Sequence, residues 1–290
     1  MFAEERQQLI VELVAASGRA SVTDLAERFN ITTETVRRDL AALEIAGSVR
    51  RVHGGAVSPE RFSTTEESIL ERTVQRQSEK TRIAKAALDL IPQGRAGSVL
   101  IDAGSTTEAL AEMLAARTAG AGAGAGAGQA GAGPGGGPAA AGGPSGPSAG
   151  EAELVVITHA LPIAAKLSGE PGIALHLLGG KVRGLTQAAV GQSTVEAARR
   201  IRPDIAFIGT NGISAAFGLS TPDPEEAAVK AAFVHSARRI VVLADSSKLD
   251  AETLVQFASL KDLDTVITNS NPSPALAAAL SDAGVEVVVA

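Results

Sequence analysis

Six short apolar runs in the last two thirds of the chain constrain its fold more tightly than any other feature: residues 99–101, 154–157, 205–208, 240–244, 266–267 and 285–289. Strands that are apolar on both faces belong inside a parallel sheet covered by helices. The stretches between them, notably 161–167, 225–236 and 274–283, carry helical patterns. Strand and helix therefore alternate, which predicts an α/β domain built on an open parallel sheet. Residues 117–150 interrupt that alternation with Gly, Ala, Pro and Ser and no charge after Arg117. Such a segment buries too little surface to offset its ordering entropy and is expected to be a disordered insertion within one domain. Lengthening a loop from ~6 to ~34 residues adds only about 1.5 kcal/mol of closure entropy, so the domain tolerates it. Gly131, Gly133 and Gly136 match a dinucleotide-binding spacing. Neither a strand before them nor a helix after them supports that reading.

The first 57 residues have a different texture. Leu9, Ile10, Leu13 and Val14 recur at helical spacing before Ser17 and Gly18. Ser21 with Asp24 reads as the N-cap of a second helix that buries Val22, Leu25, Ala26 and Phe29. A third helix is predicted from Thr32 and Thr33 through Val36, Leu40 and Leu43 to Gly47. Residues 49–52 and 56–57 flank His53-Gly54-Gly55 as a short hairpin. The expected organisation is a small helical domain with a hairpin over 1–57, a polar connection over 58–79 and the α/β domain over 80–290.

Composition narrows the chemistry. At 290 residues, two domains are the natural expectation. No apolar run reaches the roughly 18 residues of a membrane span, and the polar start of the chain does not read as a secretion signal, so a cytoplasmic protein is expected. The absence of cysteine removes disulfides, thiolate nucleophiles and cysteine-held metals. Four histidines, at 53, 159, 176 and 235, show no metal-ligand spacing, and neither a metal nor a cofactor is expected. A net charge of −6 argues against non-specific coating of nucleic acid and leaves room for a small, local reading surface.

Two short helices joined by a tight turn, followed by a hairpin, have the geometry of a winged helix-turn-helix, whose second helix enters the major groove of DNA. On that reading Thr32, Thr33, Glu34 and Thr35 open the reading helix. Arg37 and Arg38, about 100° apart, divide between base edges and phosphate. Arg50, Arg51 and His53 on the wing face backbone or minor groove. The bland alternative is that these arginines merely solvate a helix face. The run Ser21-Val22-Thr23-Asp24-Leu25-Ala26-Glu27-Arg28-Phe29, then Thr35-Val36-Arg37-Arg38-Asp39-Leu40, and Arg51-Val52-His53-Gly54-Gly55-Ala56 resemble the DeoR-type helix-turn-helix signature in order and spacing. That resemblance implies double-stranded operator DNA as partner.

In the α/β half, the strand ending at Asp102 runs into Ala103-Gly104-Ser105-Thr106-Thr107 and a helix. Amides at a helix N-terminus, small hydroxyls and a glycine make an anion site. The same residues could equally be an ordinary cap and turn. Further candidate loops carry Gly179, Gly180, Lys181 and Arg183, then Asn211 within Gly209–Gly212, then Lys248 after Asp245. Loops beyond the carboxyl ends of strands gather into one ligand crevice in such sheets, here suited to a phosphorylated, hydroxyl-rich molecule. Lys230, mid-helix, is counted with these effector-site residues, the alternative being a solvated charge. His159 follows a strand end, as a ligand contact or a helix cap.

Lys80–Ala84, Asp102–Thr107, Leu178–Gly180, Gly218–Ala227, Lys230 and Ala244–Lys248 resemble the sensor domain of the DeoR family, which is itself similar to ribose-phosphate isomerases. The resemblance implies a repressor of a sugar-catabolism operon, usually a homo-oligomer, released by a phosphorylated sugar. Residues 177–191 and 209–213 look like actinobacterial fructose-operon repressors, which would imply fructose 1-phosphate. Two other readings compete. One is a sugar-phosphate isomerase or deaminase-like enzyme using Asp102, Glu226 and Lys248; the other is a DNA-binding protein without an effector.

Overall fold

The computed structural model describes residues 3–17, 19–46, 48–52, 54–57, 66–92, 97–125 and 154–290. The chain forms two compact units, Met1–Thr65 and Glu66–Ala290. The predicted insertion from 126 onward, His53 and residues 58–65 lie outside the described residues.

In the first unit the order is α1 (Ala3–Ser17), β1 (Arg19–Ser21), α2 (Val22–Phe29), α3 (Thr33–Ile45), β2 (Arg50–Val52) and β3 (Gly55–Val57). Ser21 caps α2 by accepting the Asp24 amide at 3.0 Å, and Thr32 caps α3 by accepting the Thr35 amide at 3.2 Å. Between them Asn30 takes the left-handed conformation, φ 50°, and so makes the tight turn. Ile10, Val14, Val22, Leu25, Val36 and Leu40 form the core; Phe29 is only partly buried at its edge. The hairpin β2–β3 is present, and β1, absent from the sequence reading, pairs with β3 to give the order β1-β3-β2. Asp39 is buried on α3, where Arg6 from α1 meets it at 2.6 Å and Gln7 at 3.0 Å. These bonds tie the first helix to the reading helix.

The second unit contains α4 (Ile69–Val74), α5 (Gln77–Leu88), β4 (Gly97–Ile101), α6 (Ser105–Ala125), β5 (Leu154–Thr158), α7 (Leu161–Leu167), β6 (Ile173–Leu177), β7 (Lys181–Arg183), β8 (Ala188–Val190) and α8 (Gln192–Arg199). It continues with β9 (Ile205–Gly209), β10 (Gly212–Ser214), β11 (Gly218–Thr221), α9 (Pro224–Ser236), β12 (Ile240–Leu243), β13 (Val255–Ala258), β14 (Thr265–Thr268), α10 (Pro274–Asp282) and β15 (Glu286–Val289). Seven strands make one parallel sheet in the order β15-β14-β12-β9-β4-β5-β6. The six predicted runs are six of these strands; β6, half exposed at the sheet edge, is the one without a continuous apolar pattern. Alternate residues face opposite layers. Ala206, Ile208 and Val242 pack with Val195, Phe233 and Leu276 on one face, and Phe207, Val241 and Leu243 pack with Ile83, Leu110 and Ile163 on the other.

Two boundaries differ from expectation. Residues 66–79, read as connection, fold into the second unit: Ser68 and Glu71 form a capping box, and buried Ile69 donates its amide to Leu185 O at 2.9 Å. Residues 117–125, read as the start of the insertion, continue α6. Arg117 anchors that turn by donating to Leu88 O and Ile91 O.

One glycine of the wing is fixed by proximity. A Cβ on Gly55 would lie 2.2 Å from Ala20 O on β1. Gly55→Ala is expected to pry β1 from β3 and cost about 1–3 kcal/mol, measured as a lower denaturation midpoint of the first unit.

Candidate functional site

The sheet order places β4, the first strand, in the middle: the chain moves to β5 and β6 on one side, then to β9, β12, β14 and β15 on the other. A crevice at such a switch point is where open α/β sheets bind ligands. Here the carboxyl ends of β4 and β9 are joined through Asp102. Its Oδ2 accepts the Gly209 amide at 3.0 Å and the Lys230 ammonium from α9. Its Oδ1 is 3.1 Å from Nε2 of His159, and Lys230 also donates to Gly209 O at 3.0 Å. All three side chains are buried. Burial alone would raise the Asp102 pKa, but Lys230 and His159 together hold it below the ordinary carboxylate value. His159 donates from Nδ1 to Ala189 O at 2.7 Å and stacks edge-on to Phe233. It is neither an α7 cap, a position held by Ala160, nor a lining residue of the cleft.

Above this buried triad opens a cleft. One wall is the β4–α6 turn: Gly104, Ser105, Thr106 and Thr107 line it, with the Thr107 hydroxyl and the Glu108 amide bonded back to Gly104 O at 2.9 and 2.8 Å. The first amides of α6 stand outside the helical ladder. Facing residues include Arg72, Gln75, Arg76 and Lys80 from α4 and α5, with Asp245, Ser247 and Lys248 after β12. Lys80 is buried and donates to Gln75 O at 2.8 Å and to Arg72 O. Burial lowers its pKa, and Asp245 pulls it back up. Thr186, Thr210, Asn211 and Glu226 complete the lining.

The structure therefore brings together Gly104, Ser105, Thr106, Thr107, Asn211, Lys230 and Lys248, with Asp102 directly beneath. It does not bring Gly179, Gly180 or Arg183 to that cleft. Gly180 is small because a Cβ would meet Thr194 Oγ1 at 2.1 Å and Val190 O at 2.7 Å. Arg183 lies on the hairpin β7–β8, its guanidinium bound by Glu66 at 2.7 Å, Asp223 at 3.1 Å and Glu226 at 3.3 Å. Arg72, Arg76 and Lys80 are the residues the sequence reading missed as site groups; they sit in, or just beyond, a segment taken as connection. Of the residues that an enzyme would use, Glu226 and Lys248 line the cleft and Asp102 lies beneath it. Asp102 is fully buried with both oxygens engaged, and Glu226 Oε1 is held by Thr186 and Arg183. Among the described residues, no three acidic or histidine side chains form a group that could hold a metal ion.

In the first unit, Arg37 and Arg38 project from α3 with 57% and 81% of their side chains exposed, each paired loosely with Glu34 at 3.6 and 3.8 Å. Thr32 and Thr33 are exposed at its start, and the Thr32 and Thr35 hydroxyls share a 2.9 Å bond. Arg51 on β2 donates its amide to Glu44 at 3.0 Å. Arg50 lies on the same strand; its side chain and all of His53 fall outside the described residues.

Removing one partner of the buried ion pair leaves the other charge uncompensated. Lys230→Met is expected to cost the second unit about 3–5 kcal/mol, partly restored in the double variant with Asp102→Asn, as read by denaturant titration. The Asp102 pKa is depressed on folding, so its stabilisation is full at neutral pH. It fades as the pH falls below about 4 and through the depressed value, a loss that the double variant does not show.

Comparison with known proteins follows the same division. Residues 6–62 match the DeoR-like helix-turn-helix domain, and residues 149–270 match the DeoR C terminal sensor domain. The chain is 32% identical over 288 residues to the HTH-type transcriptional regulator GlpR of Haloferax volcanii, covering 99% of this chain and 98% of that one. It is 28% identical over 289 residues to the HTH-type transcriptional repressor GlcR of Bacillus subtilis, covering 100% and 97%. Among solved structures, ribose 5-phosphate isomerase A of Methanocaldococcus jannaschii aligns over 60% of this chain and 55% of that chain, with 16% identity and a TM-score of 0.38. With a relative above 30% identity along nearly its whole length and both domains matched in order, this chain belongs to the DeoR family of transcriptional regulators.

Proposed function

We propose that the protein is a repressor of a carbohydrate operon that leaves its operator when a phosphorylated sugar occupies the switch-point cleft. The observation that carries this reading is the cleft itself: helix N-terminal amides and three hydroxyl side chains on one wall, and Arg76, Lys80 and Lys248 lining it as well. Amides at a helix start bind phosphate oxygens without a desolvated counter-charge of their own, and the neighbouring cations add attraction. Asn211, Thr186 and Glu226 offer partners for sugar hydroxyls. Fructose 1-phosphate, implied by the resemblance to fructose-operon repressors, is the first ligand to try.

On the DNA side, α3 offers Thr32, Thr33, Glu34 and Thr35 at its entry and Arg37 and Arg38 one turn further, with Arg50, Arg51 and His53 on the wing. The loose pairing of both arginines with a single exposed glutamate is worth little and yields readily to phosphate or a guanine edge. A homo-oligomer with two-fold symmetry would set its reading helices on half-sites a whole number of DNA turns apart. The effector acts by binding one arrangement of the protein better than another; no bond of the sugar phosphate has to break.

Fluorescence anisotropy with DNA from the protein's own promoter region, at fixed salt, tests this directly. Fructose 1-phosphate, fructose 6-phosphate or another phosphosugar should release the DNA, and Lys248→Ala should abolish release while effector-free DNA affinity stays unchanged. DNA binding unmoved by every phosphosugar contradicts the sensing role.

A further inference from the structure

The cleft is lined by charges of both signs. Its cations gather where α5 faces the segment after β12: Lys80 lies within electrostatic reach of Asp245 and Lys248, and Arg76 approaches Ser246 at 3.5 Å. A second charged group in the lining centres on Glu226 and is anionic. Glu226 lines the cleft yet is 4% exposed, and its Oε1 accepts from the Thr186 hydroxyl and from Arg183. Arg183 cannot neutralise that group, because it is shared with Glu66 and Asp223 as well. Even with Arg72 counted, 3.7 Å from Glu66, three carboxylates face two guanidinium groups. The charge of Glu226 is felt nearby: burial first, then Glu226, raises the pKa of Glu66.

Two buried carboxylates line the cleft: Asp245 acts on the neighbouring Lys80, whereas Glu226 is held by a hydroxyl and a shared guanidinium. A carboxylate accepts hydrogen bonds and donates none, so it welcomes hydroxyl groups and repels a second phosphate. Held by Thr186 and Arg183, it cannot swing away without leaving the buried Thr186 hydroxyl unpaired.

We infer that Glu226 is a specificity-determining residue that restricts the effector to sugar monophosphates with free hydroxyls at the end remote from the phosphate, and excludes bisphosphates. This rests on the phosphosugar reading of the cleft and deepens it. Discrimination arises from a like-charge contact in a buried setting, which is costly enough to outweigh the extra attraction a bisphosphate feels toward Lys80 and Lys248.

Isothermal titration calorimetry of the full chain with fructose 1-phosphate, fructose 6-phosphate and fructose 1,6-bisphosphate decides the point. The wild type is expected to bind the better monophosphate at least about tenfold more tightly than the bisphosphate, and Glu226→Gln to shrink that ratio by about tenfold, chiefly by gaining bisphosphate affinity. Glu226→Asp, which keeps the charge, should keep the preference. Equal or tighter binding of the bisphosphate by the wild type overturns the inference while leaving the phosphosugar site standing, and this holds even if the variants fail to fold. An unchanged ratio in a folded Glu226→Gln protein also overturns it. No heat with any of the three ligands overturns the inference together with the reading it rests on.

Discussion

The contact between Asp102 and Lys230 holds the sensor unit's working end together. It links the end of the first sheet strand to a helix 128 residues later, and through the Gly209 amide it clamps the neighbouring strand at the point where the sheet reverses direction. A buried ion pair is a costly way to gain stability, because both charges must leave water. Its value here is positional. Both Asp102 oxygens are engaged from fixed directions, which anchors the start of the turn that follows, and Gly104, Ser105, Thr106 and Thr107 of that turn line the cleft. His159 completes the clamp from the β5 side, itself fixed by Ala189 O and Phe233.

On the proposed reading, a division between supporting and contacting groups lets one cleft be stable and still respond to an effector. Asp102, Lys230 and His159 are satisfied within the protein and form a floor. Lys80 is anchored by main-chain oxygens, and Lys248 sits on a short turn capped by Asp245. The cations lining the cleft thus come from separate segments, before β4 and after β12, and the proposed effector, drawing on both, would gain affinity only if those segments hold a particular arrangement. That is the differential binding an effector needs.

Much of this was legible before any coordinates. The six apolar runs became strands because residues buried on both faces must be apolar at successive positions, and the caps at Ser21 and Thr32 announced α2 and α3 through side chains that accept helix amides. The Gly104–Thr107 turn was readable for the same local reason. What failed to show was long-range. Lys230 was placed with the site residues, but its partner was not readable: only the packing of α9 against the sheet carries it to Asp102. Arg183 looked like a ligand cation in a glycine-rich loop, but the carboxylates that consume it come from residues 66, 223 and 226. Arg72 and Arg76 escaped notice because α4 has six residues, too few for a periodic pattern, so the segment read as a connection; Lys80 opened a stretch that carried the resemblance but had no reading as a site cation.

The central claim is that the turn after β4 and the cations facing it receive the phosphate of an effector. Hydrogen–deuterium exchange of the full chain, with and without the phosphosugar that releases operator DNA, tests it at the level of individual segments. The account predicts slowed exchange at the amides of 104–107, accompanied by 72–80 and 245–248, and no comparable change at 179–183. Protection centred on 179–183, or confined to the first unit, would place the ligand elsewhere and contradict the account.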